Sequence, residues 1–361
     1  MKRRDVLTAT GALALGACAS DPEPGSAATT GQRFNWKMVT TWPPGFPGMQ
    51  TGVMRMVEQI AAASGGRLSI KVYAGNELVP PLEVFDAVSR GTVEMGHGAA
   101  YYWKGKAEAA QFFTTIPFGL TFMEMNGWLY YGGGLELYRE LYADFDLVPF
   151  PAGNTGVQMG GWFNREINSI ADLQGLKMRI PGLGGEALAR AGGTPVTLPG
   201  AEIFTALQTG VIDACEWVGP YNDMILGLPA AARYYYYPGW HEPGPTLETL
   251  VNKQAFDTLP PDLQMIVQLA SAALNEQMTA EFTARNAESL AELQNNPNVE
   301  MRRFPDDVLR ELRGYTEAIM LEMSERDPRT RRIFESFQAY RQRAAAWTRI
   351  SETAYLNSRE L

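Results

Sequence analysis

The apolar positions of this chain follow a strand period and a helix period in turn. Residues 35–42 (NWKMVTTW) have the composition of a strand, and residues 48–66 place apolar side chains at helical spacing before a glycine pair. Residues 68–75 (LSIKVYAG) then alternate as a second strand. Strand, helix and strand in this order form a β-α-β unit. The pattern therefore predicts a parallel sheet and an α/β fold.

An internal repeat extends this pattern. Residues 81–98 (PLEVFDAVSRGTVEMGHG) align without a gap on residues 200–217 (GAEIFTALQTGVIDACEW), with a helix, a glycine and a short strand in the same places. Two similar units predict two similar domains that face each other across a cleft. Because ligands bind at the carboxyl ends of strands in such sheets, we expect His97-Gly98 and Glu216-Trp217 to lie at this cleft, with Glu216 pointing into it.

The chain ends in a predicted amphipathic helix from Asp327 to Ser358. Its apolar residues recur every three or four positions and form one stripe, Ile333, Phe337, Tyr340, Ala344, Trp347, Ile350 and Ala354. Such a stripe has to be buried. Either the helix folds back on its own domains or it packs on a second copy of the chain. A length of roughly 45 Å, at about 1.5 Å per residue, favours the second copy.

Composition and charge narrow the classes of function. The chain has 361 residues, of which 45% are hydrophobic and 20% charged, so about two globular domains are expected. A net charge of −9 argues against nucleic acid as a partner, because phosphate neutralisation needs basic surfaces. Cys215 is the only cysteine after the first twenty residues, which excludes a disulfide within the body of the chain.

The first twenty residues have the features of an export signal. Arg3-Arg4 precedes a short apolar run, as in a twin-arginine signal, and the run is too short to cross a bilayer. The segment ending at Cys18 matches a lipobox, which would leave a lipid on Cys18, and it matches an ordinary cleavage site equally well. We expect a periplasmic protein in which residues 21–32 form a disordered tether.

Motifs for catalysis are scarce. His97 and His241 are the only histidines, and the chain lacks the zinc-protease, serine-hydrolase and P-loop signatures. Because these catalytic motifs are absent from the sequence, it favours a binding function over catalysis.

Arg179 and Gln158 are candidates for binding a small acid. Arg179 lies in a strand-like run, residues 172–182 (DLQGLKMRIPG), and either grips a carboxylate through two parallel hydrogen bonds or faces solvent by simple alternation. Gln158, in a glycine-rich strand, either offers an amide oxygen to a ligand or is an ordinary exposed residue.

Carboxylates and tyrosines add to this set. Glu216 and Glu242 offer oxygen ligands for a hard cation. Tyr101 and Tyr102 directly follow the first repeat, where a ligand is expected, although paired aromatic residues also commonly belong to the core.

Taken together, these motifs resemble the DctP-type solute-binding proteins of tripartite ATP-independent periplasmic (TRAP) transporters. The general motifs are LSIKVYAGNEL, DLQGLKMRIPG and EIFTALQTGVIDACEW. TTWPPGFPG, GHGAAYYWKGK, GVQMGGWFN and GWHEPG resemble the subgroup that binds 2-oxo acids or lactate together with a metal ion. The resemblance covers nearly all of the chain after the signal.

The resemblance implies a two-domain periplasmic-binding-protein fold, type II-like, that is hinged around a cleft and followed by a long C-terminal helix. We place domain I at residues 33–149 plus 234–272, domain II at residues 150–233 plus 273–325, and the C-terminal helix at residues 326–361.

The same resemblance implies a role for each candidate residue. Arg179 would clamp the ligand carboxylate, and Tyr102, or alternatively Tyr101, would donate a hydrogen bond to the ligand. A cation, sodium or calcium, would be held by the side chains of Gln158, Glu216 and Glu242 and by the carbonyl oxygen of Trp217. Gln158 and Trp217 would also contact the ligand itself.

The implied function is capture of a small 2-oxo or 2-hydroxy monocarboxylic acid and its delivery to TRAP membrane permease subunits, without catalysis. One alternative is a metal-assisted lyase or aldolase, for which only His97 or His241 provides a general base. Another is a binding protein that serves a sensor kinase. The subgroup also includes dimers joined by exchanged C-terminal helices, so we expect a homodimer.

Overall fold

The computed structural model of this chain describes residues 31–359 and residue 361. The predicted export signal, with Cys18, and the tether up to residue 30 lie outside the described residues. Within the described part, no helix combines the length and the apolar character needed to cross a membrane.

Strands and helices alternate along most of the described chain. The strands are β1 (Phe34–Thr40), β2 (Leu68–Tyr73), β3 (Met95–Gly98), β4 (Leu147–Asn154), β5 (Gly161–Phe163), β6 (Lys177–Arg179), β7 (Thr194–Val196), β8 (Ala214–Cys215), β9 (Tyr234–Tyr237), β10 (Thr246–Asn252) and β11 (Glu300–Arg303). The helices are α1 (Gln50–Ala63), α2 (Val84–Ser89), α3 (Gln111–Thr114), α4 (Phe122–Tyr131), α5 (Gly134–Ala143), α6 (Gly182–Arg190), α7 (Gly200–Gln208), α8 (Pro220–Ile225), α9 (Lys253–Thr258), α10 (Pro261–Gln294), α11 (Asp306–Arg326), α12 (Pro328–Thr348) and α13 (Ala354–Arg359).

The first sheet has the strand order β2-β1-β3-β10-β4. Strand β1 runs parallel to β2 and β3, with Phe34 opposite Leu68 and Thr40 opposite His97. The parallel pairing predicted from the β-α-β pattern is therefore confirmed. Strand β10 is antiparallel to both β3 and β4, so this sheet also recruits a strand from much later in the chain.

The second sheet has the order β11-β9-β5-β8-β6-β7. Strand β6 is parallel to β7 and β8, whereas β5 is antiparallel to β8 and β9. The predicted α/β fold with two sheets is confirmed. The domain boundaries stay a prediction, and β9, which begins at the predicted return to domain I, pairs within the second sheet.

The two repeat units contribute to different sheets. In the first unit, α2 ends before Gly91 and leads to β3 in the first sheet; in the second, α7 ends before Gly210 and leads to β8 in the second sheet. Gly91 and Gly210 have φ angles of 67° and 71°, in the left-handed region that favours glycine. The repeat in sequence is thus a repeat of local structure.

Helix α10 links the two halves of the molecule. It packs on α1 and on strand β4 of the first sheet, and on α8, which follows strand β8 of the second sheet. Glu281 of α10 pairs with Arg55 of α1 at 2.6 Å, and Asn286 accepts a hydrogen bond of 3.0 Å from the backbone of Tyr221 in α8. Helix α10 is therefore in contact with elements from both halves of the molecule.

The C-terminal helix is present, and its apolar stripe divides into two halves. A wider helical turn, Arg349–Thr353, joins α12 to α13. Ile333 and Phe337 are fully buried against the chain's own core, whereas Trp347 and Ile350 are 66% and 71% exposed. The helix thus folds back on its own chain over the first half of the stripe, whereas the second half is exposed to solvent.

Glu248 of β10 is a buried acid beneath the first sheet. Its carboxylate accepts hydrogen bonds from Trp103 Nε1 at 2.6 Å, from Tyr142 at 3.1 Å and from Tyr138. Burial raises the pKa of Glu248 from 4.5 to about 7, although these hydrogen bonds act in the opposite direction. Between these two values, the folded chain keeps a proton that the unfolded chain has lost, so this group's contribution to stability falls as pH rises.

We therefore expect the free energy of unfolding of the wild type to fall by about 2–3 kcal/mol more than that of Glu248→Gln between about pH 5 and pH 8. Urea unfolding of both proteins across this pH range measures the difference. The contributions of the other buried titratable groups cancel in the comparison, because both proteins contain them. Equal slopes in the two proteins would show that Glu248 does not titrate in this window.

Candidate functional site

A buried ion pair lies at the ends of two neighbouring parallel strands. Arg179 ends β6 and pairs with Cys215 of β8, so Glu216 follows directly at the same sheet edge. The side chains of Arg179 and Glu216 are each 1% exposed, and Nη1 of Arg179 contacts the carboxylate of Glu216. The alternative in which Arg179 faces solvent is wrong, because β6 is buried on both faces at this point.

The guanidinium of Arg179 is almost fully paired. Its Nε donates to the carbonyl of Leu198 at 3.1 Å, its Nη1 also donates to the carbonyl of Glu216 at 3.1 Å, and its Nη2 donates to the Tyr102 hydroxyl at 3.2 Å. Among the described residues, one N–H of Nη2 is left without a partner. Burial is the largest single influence and lowers the pKa of Arg179, but Glu216, the two tyrosines and Glu242 together raise this pKa above its usual value, so Arg179 stays charged.

Several buried polar atoms around this pair have no hydrogen-bond partner among the described residues. They are Gln158 Oε1, Glu216 Oε2, Glu242 Oε2, Trp217 Nε1 and both ring nitrogens of His241. Ligand atoms of Glu216, His241 and Glu242 lie within 4.8 Å of one another. Buried polar groups are normally paired, so this cluster has the donor set of a cation site.

Two buried carboxylates share this cluster with a single arginine. Burial first, and the charge of Glu216 second, raise the pKa of Glu242 well above its usual range, while Arg179 acts in the opposite direction. The repulsion between the carboxylates is relieved either by a proton or by a cation. The oxygen-rich donors therefore match the ligand preference of a hard metal ion.

A close backbone crossing places Gln158 opposite Glu242. The Gln158 amide donates to the carbonyl of Glu242 at 3.1 Å, and the Gly239 amide donates to the carbonyl of Gln158 at 2.9 Å. A Cβ atom on Gly239 would lie 2.1 Å from the carbonyl oxygen of Gln158, so only glycine permits this approach. Gln158 is 5% exposed, and the alternative in which it is a surface residue is wrong.

Asp223 holds the turn that follows Glu216 and Trp217. Its Oδ1 accepts hydrogen bonds of 3.1 Å from the backbone amides of Val218 and Gly219. Its Oδ2 accepts hydrogen bonds from Trp162 Nε1 at 2.9 Å and from the Tyr235 hydroxyl at 2.8 Å. Burial raises the pKa of Asp223 to about 6. No sequence motif identifies Asp223 as a site residue; the one local signal is its place as an acid in the first turn of α8, after Gly219-Pro220.

A chain of aromatic rings ties Trp217 to the first sheet. Its ring makes edge contacts with Trp42 and Phe46, and Trp42 Nε1 donates to His97 Nδ1 at 2.8 Å. His97 Nε2 then lies 2.7 Å from the carbonyl of Ala152, and burial lowers the pKa of His97 to about 4. His97 is therefore a neutral scaffold residue outside the cluster, whereas His241 lies within it.

Two tyrosines connect the first sheet with the site in the second. Tyr101 and Tyr102 follow β3, and the Tyr102 hydroxyl reaches Arg179 of the second sheet. Tyr101 lines a narrow void together with His241 and Glu242. Burial raises the pKa of both tyrosines, so both are neutral hydrogen-bond donors. Every predicted site residue thus lies at one junction between the two sheets.

The chain is similar to known proteins along nearly its whole length. The profile of the DctP family, bacterial extracellular solute-binding protein family 7, matches residues 38–327. The chain is 42% identical over 361 residues to a monocarboxylate 2-oxoacid-binding periplasmic protein of Nostoc sp. strain PCC 7120, covering 99% of this chain and 98% of that protein.

Solved structures of TRAP periplasmic solute-binding proteins are also similar. One from Colwellia psychrerythraea, with bound calcium and pyruvate, is 43% identical, has a TM-score of 0.88, and covers 91% of this chain and 100% of that chain. One from Pseudoalteromonas atlantica, with bound sodium and pyruvate, is 43% identical, has a TM-score of 0.88, and covers 91% and 99%. A mixed-occupancy dimer from Bordetella bronchiseptica, with calcium and picolinate in one site, is 36% identical, has a TM-score of 0.89, and covers 91% and 97%. The chain therefore belongs to the DctP family of extracellular solute-binding proteins, the solute receptors of TRAP transporters.

Proposed function

We propose that this chain binds a small 2-oxo or 2-hydroxy monocarboxylic acid together with one cation in the periplasm and delivers the acid to the membrane subunits of a TRAP transporter. The observation that carries this proposal is the buried Arg179–Glu216 pair, which lies among side-chain oxygen atoms that have no hydrogen-bond partner in the described part of the chain. The pyruvate complexes of similar proteins support the ligand class.

Arg179 is the proposed clamp for the ligand carboxylate, and Tyr102, with Tyr101 as the alternative, is the proposed hydrogen-bond donor beside it. A two-pronged clamp needs two N–H groups, but only one N–H of Nη2 lacks a partner among the described residues. The acid therefore competes with Glu216 for Arg179. A cation that draws the Glu216 carboxylate towards itself resolves this competition.

The cation is proposed to lie between the side-chain oxygens of Gln158, Glu216 and Glu242 and the carbonyl oxygen of Trp217. Charge supports this arrangement. Glu216, Glu242 and a bound carboxylate outweigh the charge of Arg179 by two, and a buried excess of this size is strongly unfavourable. One sodium ion would halve this excess of two negative charges, and one calcium ion would cancel it. Both ions accept oxygen ligands. The cation and the acid are thus expected to bind together.

A binding role, rather than catalysis, fits these groups. The similar proteins reported above are binding proteins, and both ring nitrogens of His97, one of the two candidate bases, are engaged in hydrogen bonds. Contacts from both sheets let the ligand favour a closed form over an open one. Release to the membrane subunits then requires that these contacts separate.

Export would proceed by the twin-arginine-like signal, with either a lipid on Cys18 or ordinary cleavage after it. These residues lie outside the described part of the chain, and the periplasmic location of similar proteins supports the proposal.

A homodimer through the C-terminal helix is also proposed. Trp347, Ile350 and Tyr355 are each more than half exposed, and a groove beside them is lined by Phe118, Trp240 and further apolar and arginine side chains. A second copy of the chain would cover both surfaces at once. The dimer of the Bordetella bronchiseptica protein supports this proposal.

Arg179→Ala is expected to weaken pyruvate binding at least about a hundredfold, because removal of one partner from a buried charge pair costs roughly 3–5 kcal/mol. Calorimetric titration with calcium present measures the effect. Arg302→Ala, which removes a half-exposed arginine from a surface pair, is the matched control and should bind as the wild type does. If Arg179→Ala is folded by circular dichroism and binds with unchanged affinity, Arg179 is not the clamp.

Removal of sodium and calcium is expected to weaken pyruvate binding by the wild type, and Glu216→Gln should need a higher calcium concentration to reach the same affinity. The reason is that the cation offsets the buried carboxylates. Titrations across a calcium series in sodium-free buffer test both statements, with Glu300→Gln, a surface carboxylate, as the control. Equal affinity in chelator-treated, sodium-free buffer would show that no cation is required.

The wild type is expected to be a dimer in sedimentation equilibrium at micromolar concentration, and the double variant Trp347→Asp/Ile350→Asp a monomer. Both positions lie on the exposed half of the stripe, so the buried half of the helix stays intact. Val211→Asp, which charges an equally exposed apolar position elsewhere, is the control. A monomeric wild type would end the proposal, and a dimer that survives the double substitution would move the interface away from the helix.

A further inference from the structure

Glu248 and Trp103 form a buried contact close to the ligand site. Trp103 Nε1 donates to Glu248 Oε1 at 2.6 Å, and each residue is 1% exposed. Glu248 lies opposite Gly98 in the register of β10 and β3, at the carboxyl end of β3. A well-packed apolar side chain at this position would avoid the cost of burying an acid, so stability alone does not explain Glu248.

Gly98 makes room for the Trp103 ring. A Cβ atom added to Gly98 would lie 2.9 Å from Cζ2 of Trp103 and 3.0 Å from Cγ2 of Thr41. Packed carbon atoms normally stay at about 3.5–4.0 Å from each other, so a larger residue would displace the ring. The ring also packs on Phe85, with 5.8 Å between the ring centroids. The position of the indole is thus set by tight packing and by its hydrogen bond to Glu248.

Trp103 ends the short 3₁₀ turn that carries both tyrosines, Ala100–Trp103. A single turn of this kind has poor hydrogen-bond geometry, so its orientation depends on contacts with the rest of the chain. At its start the Tyr101 amide donates to Thr114 Oγ1 at 3.2 Å, and at its end the Trp103 indole donates to Glu248. Glu248 therefore anchors the end of the turn.

Tyr102 depends on its neighbours in this turn. Its ring meets those of Tyr101 and Trp103 edge-on, with 4.8 Å and 5.9 Å between the ring centroids. Its hydroxyl accepts the hydrogen bond of 3.2 Å from Arg179 Nη2 in the second sheet. A shift of the Trp103 ring would therefore move this hydroxyl relative to Arg179.

We propose that Glu248 is a positioning residue for the ligand, because its bond to Trp103 fixes the turn that presents the Tyr102 hydroxyl beside Arg179. Glu248 acts through Trp103 and Tyr102 rather than by contact with the acid. The inference rests on the proposed function, in which Tyr102 donates a hydrogen bond to the acid. It extends the determinants of affinity from the site into the core of the first sheet.

Calorimetric titration of the mature chain with pyruvate, with calcium present, tests the proposal in a double-mutant cycle. Tyr102→Phe and Trp103→Phe are each expected to weaken binding about fivefold, which is the contribution of one neutral hydrogen bond. The double variant is expected to weaken binding about fivefold as well, rather than the roughly twenty-five-fold of two independent losses, because both changes remove the same contact.

Two further variants separate positioning from stability. Glu248→Gln keeps an oxygen acceptor for the Trp103 indole, so it should bind pyruvate as the wild type does. Trp128→Phe removes an indole N–H that donates to Ser336 at 3.1 Å elsewhere in the same core. It should lower the free energy of unfolding and leave the affinity for pyruvate unchanged. If Trp103→Phe fails to fold, Gly98→Ala displaces the same ring and should give the same cycle with Tyr102→Phe.

The outcomes distinguish this inference from the proposed function. If the wild type binds pyruvate but the folded Trp103→Phe or Gly98→Ala variant binds equally well, the positioning role is refuted and the proposed function stands. Equal losses with and without the Tyr102 hydroxyl, or an unchanged affinity in Tyr102→Phe, would also refute it. If the wild type binds neither pyruvate nor another 2-oxo or 2-hydroxy acid, both proposals fall.

Discussion

A fully buried ion pair between Arg179 and Glu216 is the interaction on which the site depends. Removing two charges from water costs several kcal/mol for each ion, and only good geometry offsets that cost. Nearly every N–H of the guanidinium has a partner, but within residues 31–359 no hydrogen-bond donor reaches Glu216 Oε2, Gln158 Oε1 or Glu242 Oε2. This imbalance is what an acid and a cation would jointly correct, and it explains why neither is expected to bind well alone.

The fold keeps this pair in place through residues that are not proposed to touch a ligand. Asp223 ties the turn after Trp217 to two aromatic side chains of the second sheet, and Trp42 ties the ring of Trp217 to His97 in the first sheet. Both anchors are buried hydrogen-bond networks, which are worth most when every member is paired. The segment that carries Glu216 and Trp217 is therefore held by contacts with both sheets.

Local periodicity and the internal repeat were sufficient to predict the parallel strands of the first sheet and the position of Glu216, because both depend on residues close in sequence. Arg179 remained ambiguous, since strand alternation assumes one exposed face and β6 buries Met178 and Arg179 together. Asp223 was missed because its partners come from β5, β9 and its own turn, which only tertiary structure brings together. The C-terminal stripe was predicted as a single surface, although the core covers only its first half.

The central claim is that one acid and one cation complete the same buried charge cluster. Native mass spectrometry of the mature protein, purified without added ligand and sprayed under gentle conditions, tests it most directly. We expect each chain to retain one small acid and one metal ion, and we expect the two to be lost together as collision energy rises. A population that carries the acid without any metal ion would contradict it.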